Sequence, residues 1–205
     1  MSAQNRLFVI SAPSGAGKTS LVRALMEREP DLRFSSSYTT RAQRPGEHHG
    51  QHYFFVSPER FQQMIADDAF LEHARVFDNY YGTARAQVVS LLAEGHGVVL
   101  EIDWQGARQV RAAMPESVGI FILPPSRAEL ERRLRGRGTD TETVIRRRLA
   151  DAATDMSHWS EFQYVVVNDD FSTALQALSD IVRGRGEDSR ADRPELPPVV
   201  DALLA

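Results

Sequence analysis

The chain has 205 residues, 24 lysines and arginines against 28 acids, a formal net charge of −4 and no cysteine. That length suits one domain with a substantial core, held without disulfides or structural metals, and the negative balance argues against general nucleic-acid binding. No apolar run approaches a membrane span and no N-terminal signal segment stands out, so a soluble cytoplasmic enzyme without a membrane partner is expected.

In chain order, the apolar run Leu7-Phe8-Val9-Ile10 leads into Ala12-Pro13-Ser14-Gly15-Ala16-Gly17-Lys18-Thr19-Ser20, and the helical pattern Leu21, Val22, Leu25, Met26 follows. A strand ending in small residues lets successive backbone N–H groups face phosphate oxygens, and the helix behind adds the positive end of its dipole. Polyphosphate is the expected ligand. Lys18 is placed to reach the β- and γ-phosphates, and the Thr19 hydroxyl to ligate Mg²⁺. The glycine that usually opens such a loop is Ala12 here, which a tight turn accepts only if φ stays negative at that position.

Past the first helix, Phe34–Tyr38, Tyr53–Val56 and Leu71–Phe77 are predicted strands of a smaller sheet, with one helix over Pro58–Asp67. This stretch reads as an insertion over the sheet edge. Arg41 and Arg44 sit three residues apart before a Pro-Gly turn. Two guanidinium forks there can clamp one phosphate, or form a solvated basic turn. His48, His49 and His52 lack a cysteine or clear carboxylate partner and read as turn residues rather than a metal site.

Val98–Ile102, Val118–Leu123 and Tyr164–Val167 repeat the pattern of the first strand, each followed by a helical pattern. Such alternation predicts a three-layer α/β fold with a parallel central sheet and ligand sites beyond the carboxyl ends of its strands. Glu101 and Asp103 end one of these strands. Between Arg127 and Arg148, arginines crowd around the break Gly136-Arg137-Gly138-Thr139, as two helices joined by a hinge would place them; Glu129, Glu131, Asp140 and Glu142 dilute their field, against a nucleic-acid patch. Asn168-Asp169-Asp170 follows the last strand, with Asp170 suited to cap a helix from about Phe171. From Gly184 the chain turns polar, and Val199–Ala205 is too short for a core of its own, so a mobile tail over 184–205 is expected.

From about Leu7 to about Val182 the chain resembles the guanylate kinase family. The residues that carry the resemblance are the phosphate loop, Ser37, Thr39-Thr40-Arg41, Arg44-Pro45-Gly46-Glu47, Tyr53, Phe70-Leu71-Glu72, Asn79-Tyr80-Tyr81-Gly82-Thr83 and Asp103-Trp104-Gln105-Gly106. The resemblance implies a P-loop fold over 1–183 with a small β-rich GMP-binding insertion at about 37–83 and a helical lid at about 126–150. It implies that Ser37, Arg41, Arg44, Tyr53 and Tyr81 hold the phosphate of GMP, while Glu72, Thr83 and Asp103 surround guanine. Thr83 is often serine in the family, and the hydroxyl is common to both.

Guanine offers N1–H and N2–H as adjacent donors and O6 as an acceptor. Glu72 can accept both donors and Thr83 can donate to O6, although Glu72 read alone could be a surface acid on a strand. By the same resemblance the lid closes over ATP and brings Arg133, Arg137 and Arg148 to its phosphates, and Asn168 lies beside the adenine. The implied reaction transfers the γ-phosphate of ATP to GMP, with dGMP as a candidate second acceptor, through Lys18, Arg41 and the three lid arginines. No general base is required, because the acceptor is already an anion. Glu101 stands where the family commonly has aspartate, and it either orders a water on Mg²⁺ or pairs with an arginine. The rivals are a related sugar-phosphate kinase acting on ribose bisphosphate and a phosphopeptide-binding module without activity. The sequence does not discriminate a monomer from a homo-oligomer.

Overall fold

The computed structural model describes residues 5–76, 78–136 and 141–205. Its central sheet has the order β2-β7-β1-β8-β9, from Leu32–Phe34 (β2), Gly97–Glu101 (β7), Leu7–Ser11 (β1), Val118–Leu123 (β8) and Tyr164–Val167 (β9), and every pairing is parallel. The chain leaves β1 toward β2 and β7 on one side and later crosses to β8 and β9 on the other. That reversal leaves a crevice at the carboxyl edge.

The strands are apolar on both faces because each face carries a core. Leu7 and Val9 of β1, Val98 and Leu100 of β7, and Phe121 and Leu123 of β8 point into one cluster; Phe8, Ile10, Val99, Ile120 and Ile122 point into the other. The second cluster is closed by α1 (Lys18–Arg28) and α7 (Phe171–Val182). The first is covered by α3 (Arg85–Ala93), α4 (Trp104–Ala113), α5 (Arg127–Gly136), α6 (Glu142–Met156) and α8 (Leu196–Leu204). The period of two along each strand thus distributes side chains between two helical layers, the arrangement that parallel sheets require. Asp170 caps α7 by accepting from the Thr173 amide, as its position suggested.

A second sheet stands over the edge in the order β4-β3-β6-β5, from Phe54–Phe55 (β4), Tyr38–Thr39 (β3), Asn79–Ala84 (β6) and Phe70–Val76 (β5). Phe61 and Met64 of α2 (Pro58–Ala66) pack on its outer face against Phe70. Two expectations change. The strand predicted over Phe34–Tyr38 is two strands: Leu32–Phe34 runs beside β7 in the central sheet, and Tyr38–Thr39 belongs to the small one. The polar run at 35–37 between them lets the chain change sheets.

The tail expected to be mobile is packed. It makes a 3-10 turn at Glu187–Ser189 and then α8, whose Leu196, Val200 and Leu203 are each 1% exposed. Pro at the start of α8 fits because the first helical N–H groups need no partner within the helix. Residues too few for a core of their own complete one that already exists. Among the described residues, no helix is long and apolar enough to cross a membrane.

Candidate active site

Two clefts meet at the carboxyl edge. The larger, about 630 Å³, is lined by residues 12–15 and 17–20 on one side and by Trp104, Arg147, Arg148, Asp151 and Asp155 on another. The smaller, about 230 Å³, is bounded by Ser37, Tyr53, Glu72, Tyr81, Glu101 and Asp103. Lys18, Val76 and Asp103 line both. Ligands in the two clefts would therefore face each other across a lysine.

The loop after β1 ends in an uncapped helix. Gly17 occupies the N-cap position of α1 without a side-chain hydrogen bond, so the first amides of the helix face the larger cleft as an anion site. Ala12 fits because positive φ among the described non-glycine residues occurs only at Asn5 and Asp68. Gly17 has φ of 95°, and a Cβ there would lie 2.4 Å from Asn168 Nδ2. Gly17→Ala is therefore expected to cost about 1–3 kcal/mol of stability from backbone strain alone, and to weaken ATP binding about tenfold or more. Denaturant unfolding and calorimetric titration with ATP check the two effects.

Lys18 Nζ donates to the Ile102 carbonyl at 3.2 Å, which holds the ammonium at the junction of the clefts. The Thr19 hydroxyl donates to Glu101 Oε1 at 2.5 Å. Glu101 thus stands beside Thr19, the residue expected to ligate Mg²⁺. A hydroxyl and a carboxylate side by side are hard oxygen donors, the type that Mg²⁺ takes.

In the smaller cleft the decisive feature is a bulge. Phe70 pairs with Ala84, but Glu72 pairs with Thr83, so Leu71 is the extra residue; in regular register Glu72 would stand opposite Gly82. The bulge sets the acid beside a hydroxyl, and Thr83 Oγ1 donates to Glu72 Oε1 at 2.6 Å. Gly106 lets the first turn of α4 come close, since a Cβ there would lie 2.6 Å from Glu72 Oε2. Glu72 is 4% exposed. Burial pushes its carboxyl up to about 7, with the nearby Asp103 adding to the rise and the Thr83 hydrogen bond opposing it. Asp103 itself caps α4, accepting from the Gly106 amide at 2.7 Å.

Several sequence assignments look different in place. Thr83 is fully buried and does not line the cleft; its proton is directed at Glu72 rather than at a ligand. Asn168 is buried, and its amide donates to the Ala16 carbonyl at 2.7 Å, so it braces the loop from behind. Arg133 does the same: its guanidinium reaches Glu129 at 2.7 Å, the Asn168 carbonyl at 3.0 Å and the Ala16 carbonyl at 3.4 Å, and it lies outside the cleft lining. Arg148 lines the larger cleft together with Arg147, which the sequence reading left aside. Arg137 lies outside the described residues.

Arg41 donates to Glu47 at 2.7 Å and stands 5.3 Å over the Tyr53 ring, at the rim of the smaller cleft. Glu47 also accepts from the Arg44 amide at 2.8 Å, so this acid shapes the turn that carries both arginines. The Arg44 side chain is exposed and does not line the cleft. His52 accepts from the His48 amide within the turn and His49 from the Phe55 amide of β4, and no group of three or more His, Cys, Asp or Glu side chains able to hold a metal occurs among the described residues. Trp104, named in the sequence only as part of a motif, lines the larger cleft and donates from its indole to Asp155 at 3.2 Å; Asp155 was missed because a helical pattern does not reveal which face meets a cleft.

The family model described as guanylate kinase matches residues 4–185. The chain belongs to the guanylate kinase family. Among its relatives, the guanylate kinase of Yersinia pestis bv. Antiqua (strain Antiqua) is 58% identical over 182 residues, 88% of each chain. That of Escherichia coli (strain K12) is 57% identical over 183 residues, again 88% of each. The solved guanylate kinase from Anaplasma phagocytophilum has 34% identity and a TM-score of 0.74, covering 95% of this chain and 94% of that one. The bulge, the phosphate loop and Asp103 all lie within the part that matches the guanylate kinase family.

Proposed function

We propose that this chain transfers the γ-phosphoryl group of ATP to GMP, giving ADP and GDP. The observation that carries this reading is the junction of the clefts: a phosphate loop faces, across Lys18 and Asp103, a smaller cleft whose inner end is the buried carboxylate of Glu72. The guanylate kinase relatives agree with it.

We assign the roles as follows. The loop amides and Lys18 hold the β- and γ-phosphates, and Arg147 and Arg148 approach from the far wall of the larger cleft. Ser37, Tyr53, Tyr81 and Arg41 gather at the end of the smaller cleft suited to the acceptor phosphate, with Arg44 delivered from its exposed turn on binding. Glu72 takes guanine N1–H and N2–H with a carboxylate that Thr83 orients and Asp103 flanks. The acceptor oxygen is already ionised, so the protein aligns two phosphates and neutralises charge that spreads over the transferring group. Thr19 and Glu101 would hold Mg²⁺. Bound there, Mg²⁺ would offset the negative charge of the phosphates. With these substrates, work in the cytoplasm on GMP recycling into the purine pool is the fitting setting.

A sugar phosphate lacks the adjacent N–H pair that Glu72 is placed to accept, and a phosphopeptide would leave the loop and Lys18 without use. Phosphorus NMR of the protein with Mg²⁺, ATP and GMP tests the proposal. GDP and ADP appearing in equal amounts is the expected result; ATP consumed without GDP would refute it.

The pH profile gives a finer check. Guanine needs Glu72 ionised, whereas the free protein holds it largely protonated below about pH 7. The KM for GMP is therefore expected to rise about tenfold between pH 8 and pH 6, one pKa unit being about 1.4 kcal/mol. Glu72→Gln should remove this component, which separates it from titration of the nucleotide. The same shift acts on folding: a carboxyl raised above its unfolded value of about 4.5 favours the fold at low pH, and that contribution is lost as pH rises from about 4.5 to about 7.

A further inference from the structure

The family match ends at residue 185, yet the chain beyond it is built into the molecule. Arg190 forms an antiparallel bridge with Tyr164 of β9, the Ala191 amide donates to the Gln163 carbonyl at 3.0 Å, and the Arg193 guanidinium donates to the Val165 carbonyl at 3.0 Å. The outer edge of the central sheet is thereby covered and the segment is fastened at its start. From there α8 lies against α6, with Leu196, Val200 and Leu203 in the same buried cluster as Ile145, Ala152 and Met156.

Helix α6 has two working faces. Ile145, Ala152 and Met156, with Leu149 packed beside them, recur at helical spacing on the face turned to that cluster. Arg147, Arg148, Asp151, Thr154 and Asp155 form the other stripe and line the larger cleft. A helix moves as a unit, so whatever fixes its apolar stripe also fixes the arginines on the opposite one.

We propose that the C-terminal segment is a brace for the nucleotide site, in which Leu196, Val200 and Leu203 are positioning residues that set where α6 presents Arg147 and Arg148. The inference rests on the larger cleft being the ATP site. The segment packs on α6 and acts through it. Misplacing a charged fork by about 1 Å can cost about 10²-fold in rate, even when the change lies far from the reacting atoms.

The test compares Val200→Ala and Leu203→Ala with Val199→Ala, an exposed position on the same helix, at a temperature where all three are folded by circular dichroism. Calorimetric titration with ATP is read alongside turnover. Each core variant is expected to weaken ATP binding and to lower kcat/KM for ATP about tenfold, with GMP affinity in the absence of ATP unchanged within about twofold. Val199→Ala should leave every constant unchanged. Removal of residues 196–205 should cost about 10²-fold, with recovery when a peptide of residues 196–205 is added. A segment that only stabilises the fold would lower the thermal midpoint of the core variants and leave ATP affinity and kcat per folded molecule as in the unaltered protein, and that result would overturn the brace. Failure of the unaltered protein to convert GMP would instead overturn the functional reading, while the ATP titration still decides the brace.

Discussion

Lys18→Ala is expected to lower kcat about 10³-fold or more while leaving the protein folded. Among the described residues the ammonium is the one side-chain cation that lines both clefts, held by the Ile102 carbonyl at 3.2 Å, and its loss removes charge from where the transferring phosphate must pass. Little of the core depends on it, since the side chain spans cleft rather than packed interior. GMP binding without ATP should change far less than turnover, because Glu72 and the Tyr53–Tyr81 wall remain. Lys18 is also the only lysine in the sequence, so an amine-reactive reagent reports on it apart from the N-terminus. Saturating ATP should protect that side chain from labelling. Full activity in Lys18→Ala would place the chemistry elsewhere.

The second large effect concerns selection. Glu72→Gln keeps an oxygen for the Thr83 hydroxyl but turns an NH₂ group toward the two donors of guanine. The preference for GMP over AMP is expected to fall by as much as about 10⁴-fold, because a site built around paired hydrogen bonds rejects a ligand that leaves them unmade. Most of the loss should appear in kcat/KM for GMP, with ATP affinity unchanged. Thr83→Val should act in the same direction and more weakly, since in this structure the hydroxyl orients the carboxylate. An unchanged acceptor preference in Glu72→Gln would remove guanine from that cleft.

Much of this was readable from residues alone, and the physical reason differs from one part to the next. The four principal strands announced themselves because both faces are buried, which gives continuous apolar runs ended by turns. The phosphate loop was legible because its glycines and Lys18 are required by backbone geometry and charge at fixed spacing. Division of the chain near Phe34 between two sheets was not, since a short polar link between strands has no periodicity of its own. The tail misled for a related reason: Leu196, Val200 and Leu203 look isolated in sequence, and only the fold supplies the cluster they complete. Composition near a terminus cannot reveal a distant partner.

The residues that line the clefts were legible as residue types and less so as directions. Arg133 and Asn168 carry groups suited to phosphate and base, but both are spent on the Ala16 carbonyl and its surroundings. Arg147 was set aside beside Arg148, although both reach the cleft because adjacent residues on α6 share its edge. The bulge at Leu71 is the least visible feature and among the most consequential, for a single extra residue decides whether Glu72 stands beside Thr83 or Gly82.

The most direct test of the central claim is ADP production from ATP and Mg²⁺ with GMP, AMP, CMP, UMP and ribose bisphosphate offered separately to the purified chain. Turnover with GMP, and little or none with the others, is the result expected of a buried carboxylate facing a phosphate loop. Turnover with ribose bisphosphate in place of GMP, or no ADP with any acceptor from protein shown to be folded, would contradict it.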